Sequence, residues 1–274
     1  MENYIRILSD VHYGDRSSTV RALSQLRPLL EGPAALVLNG DTLDTRIGPS
    51  PERTEAMRDE VLRFFPQHVA QTTFITGNHD ADFTANHLLD LAGGQVFVTH
   101  GDILYPDIVP WSQDAALMRK RLADEFSKLP ATAPSNLETR FAVFRRVALS
   151  IPQRHQSQRD PIKYAIGFAQ DTIWPPTRLF RILQAWHDLP GLAATLMRQH
   201  RPAAKFILVG HTHRPGIWRR PGGVTIINTG SFSRPLGGYQ VDLTRERLIV
   251  RRVATRRGEF HPGHLLAEFS LAEA

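Results

Sequence analysis

The stretch KFILVGHTHRPG (205–216) places two histidines, one residue apart, directly after a run of four apolar residues. The run is short, apolar and bounded by glycine, which predicts a buried strand that ends at Gly210. We expect the chain to turn after this glycine, so that the imidazoles of His211 and His213 face one cluster of side chains. The question is what such a cluster would contain.

The first hundred residues alternate short apolar runs with amphipathic segments. The predicted strands are 4–8, 34–38, 72–76 and 95–99, and the predicted helices are 17–31, 52–70 and 84–92. This alternation favours βαβ units in a mainly parallel sheet that is covered by helices.

Each of the five predicted strands, including the one at 205–209, is followed by residues that can bind a metal. They are Asp10 and His12; Asp41 and Asp44; Asn78, His79 and Asp80; His100 and Asp102; and His211 and His213. In open α/β sheets, ligands bind beyond the carboxyl ends of the strands, so these residues should meet at one edge. Taken singly, Asp44, Asp80 and Asp102 are better interpreted as caps of turns or helices. Histidine at four of the five strand ends nevertheless predicts a shared site.

The chemistry of such a cluster points to metal ions. Nitrogen and oxygen donors without sulfur suit divalent Mn, Fe, Co, Ni or Zn, and the chain contains no cysteine. Seven such ligands are too many for a single tetrahedral site with an open position. They are sufficient for two ions if one carboxylate bridges both, and a pair of ions can clamp a phosphoryl group during hydrolysis.

The chain divides into three predicted parts. Residues 1–102 and 201–253 form the core, residues 103–200 a helical cap insertion, and residues 254–274 a C-terminal tail without a clear pattern. Within 103–200, apolar residues repeat every three or four positions in 111–129 and 137–151, and a further helix is predicted near 177–189. The sequence SNLE (135–138) has the spacing of a capping box. Hairpins are predicted at 216–228 and 239–253.

Composition narrows the functional classes. The 274 residues carry a net charge of +6, which mildly favours anionic partners. The absence of cysteine excludes disulfides, thiolate-bound zinc and a cysteine nucleophile. No signal peptide or run of about 20 apolar residues is present, so the cytoplasm is the expected location.

The ordered set DVH, GDTLD, GNHD, HGD and GHTH resembles the calcineurin-like metallophosphoesterase superfamily, over about half of the chain. The resemblance implies a four-layer α/β/β/α sandwich with a helical cap insertion and a dinuclear metal site at one edge. The helical insertion and GDTLDTRIG also resemble, more distantly, the bacterial UDP-2,3-diacylglucosamine diphosphatases. That family typically has arginine where this chain has His79.

The resemblance also implies a role for each matching residue. Asp10, His12 and His213 would bind the first metal, Asn78, His100 and His211 the second, and Asp41 would bridge both. His79 would face the leaving-group oxygen and act as general acid or stabilise the transition state, and Asp44 would pair with it. Arg214 and Asn78 are candidates for contacting the substrate. The expected cofactors are two divalent ions, with manganese ahead of iron, zinc, cobalt and nickel.

The expected activity is that of a dinuclear metal-dependent phosphoesterase. A metal-held hydroxide would hydrolyse a phosphoester or diphosphate bond of a small, nucleotide-linked or lipid-linked substrate. The alternative is a protein phosphatase or nuclease of the same superfamily. No nucleic acid is expected as a partner, because no stretch alternates aromatic and basic residues. Peripheral membrane contact through the cap is a further expectation, and the sequence leaves the oligomeric state open.

Overall fold

The structure is a computed structural model of the 274-residue chain, and it describes residues 3–48, 50–153, 162–163, 166–167 and 174–271. The strands are β1 Ile5–Leu8, β2 Ala35–Asn39, β3 Gln71–Ile75, β4 Leu88–Leu91, β5 Val96–Thr99, β6 Phe206–Val209, β7 Gly216–Arg219, β8 Thr225–Asn228, β9 Tyr239–Leu243, β10 Arg247–Arg256 and β11 Glu259–Ser270. The principal helices are α1 Arg27–Leu30, α2 Pro51–His68, α3 Ala115–Phe126, α4 Leu137–Leu149 and α5 Thr177–His200.

The strands form two sheets. The first has six strands in the order β11-β10-β9-β1-β2-β3, and the second has five in the order β4-β5-β6-β8-β7. β1, β2 and β3 run parallel, as do β5, β6 and β8. Three of the four edge strands, β11, β4 and β7, are antiparallel to their neighbours, whereas the edge strand β3 is parallel to β2.

Alternate residues of the central strands face different cores, because side chains on a strand alternate between its two faces. On β1, Ile7 packs between the two sheets, whereas Leu8 packs against the helices beyond the first sheet. On β6, Leu208 lies between the sheets and Ile207 packs against the helices beyond the second sheet. The order of layers is therefore helix, sheet, sheet, helix, which confirms the four-layer α/β/β/α sandwich.

The helices of segment 103–200 supply the outer layer on the second sheet. Phe144 of α4 and Leu189 of α5 belong to the same hydrophobic cluster as Phe97 of β5 and Ile207 of β6. The stripes predicted in 111–129 and 137–151 correspond to α3 and α4, and the helix predicted near 177–189 is the first half of α5. The division of the chain into a core and a separate cap domain stays a prediction.

Three predicted details were wrong. Residues 84–92 contain the strand β4, antiparallel to β5, rather than a helix, because this short apolar run completes the edge of the second sheet. In 17–31 only 23–30 are helical, a 3₁₀ turn followed by α1. The cap of α4 is Asn136, whose side chain accepts a hydrogen bond from the Thr139 N–H at 2.8 Å, in place of the capping box.

The C-terminal segment joins the first sheet. Residues 259–270, assigned to a tail without a clear pattern, form β11 and pair with β10 over most of their length. The predicted hairpins β7–β8 and β9–β10 are present. Within the described residues, the structure has no helix of the length and apolar character that crossing a membrane requires.

Candidate metal centre

The seven predicted metal ligands lie on the loops that follow β1, β2, β3, β5 and β6, at one end of the two sheets. They are Asp10, His12, Asp41, Asn78, His100, His211 and His213. The side chain of His213 is 38% exposed, whereas the other six residues are buried. The parallel strands thus bring together residues that are up to 203 positions apart, as expected for ligands beyond the carboxyl ends of strands.

One group consists of Asp10, His12 and His213. Nε2 of His213 lies 3.3 Å from Oδ1 of Asp10 and 3.0 Å from Nε2 of His12. Nε2 of His12 is 3.8 Å from the same carboxylate oxygen. Donors that share an ion at about 2.1 Å are themselves roughly 3.0–3.6 Å apart, so this group has a spacing close to that of a metal site.

Asp41 connects this group to a second one. Its Oδ2 atom lies 3.3 Å from Nε2 of His100 and 3.7 Å from Nε2 of His12. Asp10, Asp41 and His100 form the second cluster of His and Asp ligand atoms that lie within 4.8 Å of one another in the part of the chain that the structure describes. A carboxylate between two such groups has the position of a bridging ligand.

Two ligand atoms in the second group are buried without a hydrogen-bond partner among the described residues. They are Nε2 of His100 and Oδ1 of Asn78. Nδ1 of His100 lies 3.1 Å from the carbonyl oxygen of Asn39, so the proton of a neutral ring belongs on Nδ1 and the lone pair on Nε2. Because buried polar atoms nearly always have partners, these two atoms fit a site for a cation.

His211 approaches the second group through its other nitrogen. Its Nε2 lies 2.8 Å from the carbonyl oxygen of Ile108 and donates to it, which leaves Nδ1 as the nitrogen with a lone pair. The ring centroid is 5.2 Å from that of His100. Burial, followed by the neighbouring His100, lowers the pKa of His211 to about 3, so this ring is neutral at pH 7.

The loops hold an unusual backbone conformation at five of the seven ligands. Positive φ angles of 48° to 68° occur at Asp10, His12, Asp41, His211 and His213. Such angles are uncommon for residues other than glycine, and they concentrate at functional sites. The positive φ values at His211 and His213 are also the turn that was expected after Gly210.

Glycines leave room for ligands that belong to other loops. A Cβ atom on Gly210 would lie 2.0 Å from Oδ2 of Asp10, and one on Gly77 would lie 2.2 Å from Oδ1 of Asp41. The Asp10 carboxylate uses this space to accept hydrogen bonds from the N–H of His211 at 3.1 and 3.2 Å. Gly210 and Gly77 must therefore be glycine, because a carboxylate approaches each of them closely.

The predicted pair of His79 and Asp44 is present, and Arg46 joins it. Oδ2 of Asp44 lies 3.1 Å from Nδ1 of His79 and accepts a hydrogen bond from Nη2 of Arg46 at 2.7 Å. Nε of Arg46 donates to Oδ1 of the same carboxylate at 2.9 Å. Burial alone would raise the pKa of Asp44, but Arg46 and His79 lower it below its usual value. Arg46 was not predicted from the sequence as a residue of the site. The only indication was its position two residues after Asp44.

Asp80 and Asp102 have structural environments. The Asp80 carboxylate accepts from the N–H groups of Asp41, Thr42 and Gly77 at 2.6–3.1 Å, and so ties two ligand loops together. Burial, with a contribution from Asp41, raises the pKa of Asp80 to about 7. Asp102 begins a 3₁₀ turn, and burial raises its pKa to about 6.

The carboxylates and imidazoles of the centre shift one another's pKa values. Burial lowers the pKa of His12, but the carboxylates of Asp10 and Asp41 outweigh it and raise the pKa to about 9. Burial opposes ionisation of Asp10 and Asp41, yet neighbouring histidines, His100 first, lower both pKa values below the usual range. The two aspartates are therefore anionic at neutral pH, as ligands of divalent cations are.

Arg214 lies outside the ligand cluster. It is exposed, and its guanidinium stands 5.4 Å from the ring centroid of Trp186. The ring of His79, by contrast, lies at the centre, with its centroid 5.1 Å from that of His12. Of the two residues predicted to contact substrate, Asn78 is at the centre and Arg214 is beside it.

Comparison with known protein families gives a match over most of the chain. The sequence profile of calcineurin-like phosphoesterases matches residues 4–215, which contain all of the predicted ligands and His79. No protein with curated annotation matches the chain.

Several solved structures are similar in fold. A dimetal phosphatase from Danio rerio shows 14% identity and a TM-score of 0.45, covering 91% of this chain and 95% of its own. A predicted phosphoesterase from Streptococcus pneumoniae shows 16% identity and a TM-score of 0.38, covering 99% of each chain. Vacuolar protein sorting 29 from Cryptosporidium parvum shows 11% identity and a TM-score of 0.45, covering 98% of this chain and 99% of its own. These values are too low to indicate a shared substrate.

Proposed function

Because this chain belongs to the calcineurin-like phosphoesterase family, we propose that it uses two divalent metal ions to hydrolyse a phosphoester or diphosphate bond of a small, nucleotide-linked or lipid-linked substrate. The observation that carries this proposal is the pair of buried atoms, Asn78 Oδ1 and His100 Nε2, that have no hydrogen-bond partner among the described residues. Unpaired buried polar atoms destabilise a fold by about 1–3 kcal/mol each, and coordination to a cation would remove that cost.

The proposed ligands divide into two sets around Asp41. Asp10, His12 and His213 would bind one ion, Asn78, His100 and His211 would bind the other, and Asp41 would bridge them. The distances of 3.3 and 3.7 Å from Asp41 Oδ2 to His100 and His12 support the bridging role. Nitrogen and oxygen donors without sulfur suit Mn²⁺, which we propose ahead of iron, zinc, cobalt and nickel.

His79 is the proposed proton donor. When bound, two divalent ions neutralise phosphoryl oxygens and lower the pKa of water. The residues of the chain would then position the leaving group. Nδ1 of His79 faces Asp44 at 3.1 Å, so Nε2 is the nitrogen that can hold a proton for a leaving-group oxygen. The N–H of His79 donates to Oδ1 of Asp41 at 2.8 Å, which fixes its backbone to the proposed bridging carboxylate.

The test compares hydrolysis of p-nitrophenyl phosphate and of bis-p-nitrophenyl phosphate, with Mn²⁺ and after removal of metal by EDTA. We expect His79→Ala to lower kcat about 10²- to 10⁴-fold, the usual range for a general acid, with metal content unchanged. Asp41→Asn should lower turnover further, because it weakens the binding of both metal ions. His68→Ala is the matched control, since His68 is an exposed histidine on α2. Turnover that survives EDTA, or that is equal in His79→Ala, would refute the proposal.

We also propose that α5 contacts an anionic membrane surface, which would give access to lipid-linked substrates. Phe180 and Leu183 are 68% and 50% exposed, and the basic residue Arg181 lies between them. Exposed apolar side chains beside cations are typical of peripheral membrane contact. The double variant Phe180→Ser, Leu183→Ser should lose sedimentation with phosphatidylglycerol vesicles, whereas Leu117→Ser, at an exposed leucine of α3, should retain it. Equal sedimentation of both variants would contradict this contact.

A further inference from the structure

A groove beside the metal centre combines tryptophans with arginines. It has a volume of about 440 Å³ and lies between α5 and the edge strand β7. Its lining includes Trp186, Arg214, Trp218, Arg219 and Arg220. None of these residues belongs to the proposed ligand set, so the groove needs an explanation of its own.

Trp186 attaches the groove to the metal centre. Its Nε1 donates a hydrogen bond of 2.9 Å to the carbonyl oxygen of Thr212. Thr212 is the residue between His211 and His213, so the indole is fixed directly to the ligand loop. The Trp186 end of the groove therefore adjoins the loop that carries His211 and His213, and from there the groove runs along β7 toward Arg219, which pairs with Thr225 at the start of β8.

The indole ring of Trp218 lies over Gly216. A Cβ atom on Gly216 would lie 2.3 Å from Cη2 of the Trp218 ring, so the indole folds over a residue that must lack a side chain. The ring is half-buried and packs against the hydrophobic cluster under the second sheet. A held aromatic ring loses little conformational freedom when a planar ligand stacks on it.

The charged side chains in the groove are basic. Arg214, Arg219 and Arg220 are exposed, and no carboxylate lies among the lining residues. The guanidinium of Arg219 lies 5.3 Å from the ring centroid of Phe269 on β11, so Arg214 and Arg220 are the arginines that we assign to a ligand. The guanidinium of Arg214 stands over the Trp186 ring, which holds it beside the groove. Guanidinium groups bind phosphate through paired hydrogen bonds, so the groove combines stacking surfaces for a planar group with donors for an anion.

We propose that this groove binds the nucleotide portion of the substrate, with a base against the tryptophans and a phosphate against the arginines. The proposal rests on the proposed phosphoesterase function, since it assigns the groove to the part of the substrate that surrounds the scissile phosphorus. It selects the nucleotide-linked class over small phosphate esters without an aromatic group.

The test measures binding to metal-free protein, so that its result does not depend on the metal centre or on turnover. In EDTA, 5′-UMP and 5′-AMP are titrated by calorimetry against inorganic phosphate. We expect both nucleotides to bind at least tenfold more tightly than phosphate, and Trp218→Leu to weaken nucleotide binding about tenfold, the usual effect of losing one stacked base. Gly216→Ala should have a similar effect, because its methyl group displaces the indole without changing a groove side chain.

Charge is tested with a matched pair of variants. Arg220→Gln should weaken nucleotide binding, whereas Arg256→Gln, at an exposed arginine at the end of β10, should leave it unchanged. In the presence of Mn²⁺, Arg220→Gln should raise KM for the p-nitrophenyl ester of thymidine 5′-phosphate, whereas Arg256→Gln should leave KM and kcat for this ester unchanged.

Three outcomes would overturn the proposal. The first is equal affinity for nucleotides and phosphate, and the second is nucleotide binding that Trp218→Leu, Gly216→Ala and Arg220→Gln leave intact. The third is binding of single-stranded oligonucleotides without binding of mononucleotides, which would assign the surface to nucleic acid instead. Failure of the phosphoesterase function would show separately, as absent Mn²⁺-dependent turnover of p-nitrophenyl phosphate.

Discussion

Gly210→Ala should disable the metal centre without changing any ligand. A Cβ atom at this position would lie 2.0 Å from Oδ2 of Asp10 and 2.7 Å from Oγ of Ser9. Gly210 does not have a positive φ angle, so backbone strain does not contribute and the effect is steric. The Asp10 carboxylate must move, because the rest of its surroundings is buried structure.

The size of the effect follows from the overlap. A carbon and an oxygen in van der Waals contact are roughly 3.3 Å apart, so the carboxylate must retreat by about 1 Å or more. Metal–ligand distances tolerate deviations of only about 0.2 Å. Displacing a group that merely orients a ligand lowers metal affinity about 10- to 100-fold, and we expect a loss at or above that range because Asp10 is itself a proposed ligand.

The assay is calorimetric titration of EDTA-treated protein with Mn²⁺, alongside urea unfolding in EDTA to establish that the variant folds. Gly191→Ala is the control, since a Cβ there meets no atom within 4 Å. Gly191 lies inside α5, where alanine should stabilise the fold by about 0.5–1 kcal/mol. If folded Gly210→Ala bound Mn²⁺ with wild-type affinity, the assignment of Asp10 as a ligand would be refuted.

Three further predictions concern other sites. Arg46→Gln should lower kcat about tenfold, because the His79 side chain would no longer be held in position. Arg46→Lys should not restore kcat, because one ammonium group cannot replace a two-point contact. Metal content should not change, and an unaltered kcat would contradict the role of Arg46 in positioning His79. Burial, with the charge of Arg145, lowers the pKa of His87 to about 4. As the pH falls below 6.5, His87 is therefore protonated in the unfolded chain before it is protonated in the folded chain. Urea unfolding should therefore show that the wild type loses roughly 1 kcal/mol more than His87→Gln between pH 7.5 and 5.5, after allowance for the partial exposure of the ring. Asn136→Ala should lower the free energy of unfolding by about 1 kcal/mol, the usual value of an N-cap, and Asn136→Asp should retain most of it.

The parts of the fold that were predictable from the sequence are those that depend on local pattern. The central strands are short runs buried on both faces, and their lengths and boundaries are visible in single segments. The positions of the ligands follow, because parallel strands carry their carboxyl-terminal loops to the same edge. Asp41 and His100 therefore meet even though they are 59 residues apart in the sequence.

The edge strands β4 and β11 were not predictable in the same way. A four-residue apolar run such as Leu88–Leu91 fits a strand or a helical turn equally well, and pairing with β5 decides between them. β11 contains Pro262 and Gly263, and its register with β10 shifts twice. Bulges of this kind interrupt the alternation of apolar and polar residues, so the strand leaves no periodic signal.

Contacts between distant loops were also beyond sequence reasoning. The need for glycine at 210 arises from Asp10, which lies 200 positions earlier. The groove is formed by Trp186 of α5 together with residues of β7. Neither segment by itself has a sequence pattern that predicts a groove. Residue types at strand ends identify the chemistry of the metal centre. The contacts that surround its ligands join segments far apart in the sequence, so only the structure shows them.

The number of metal ions bound by each chain tests the central claim most directly. Equilibrium dialysis against Mn²⁺, followed by elemental analysis, should find two ions per chain in the wild type. Asp41→Asn should reduce this to one or fewer at the same free Mn²⁺ concentration, because one carboxylate is proposed to serve both ions. A single ion in the wild type, or two ions retained in Asp41→Asn, would contradict the bridged two-metal centre.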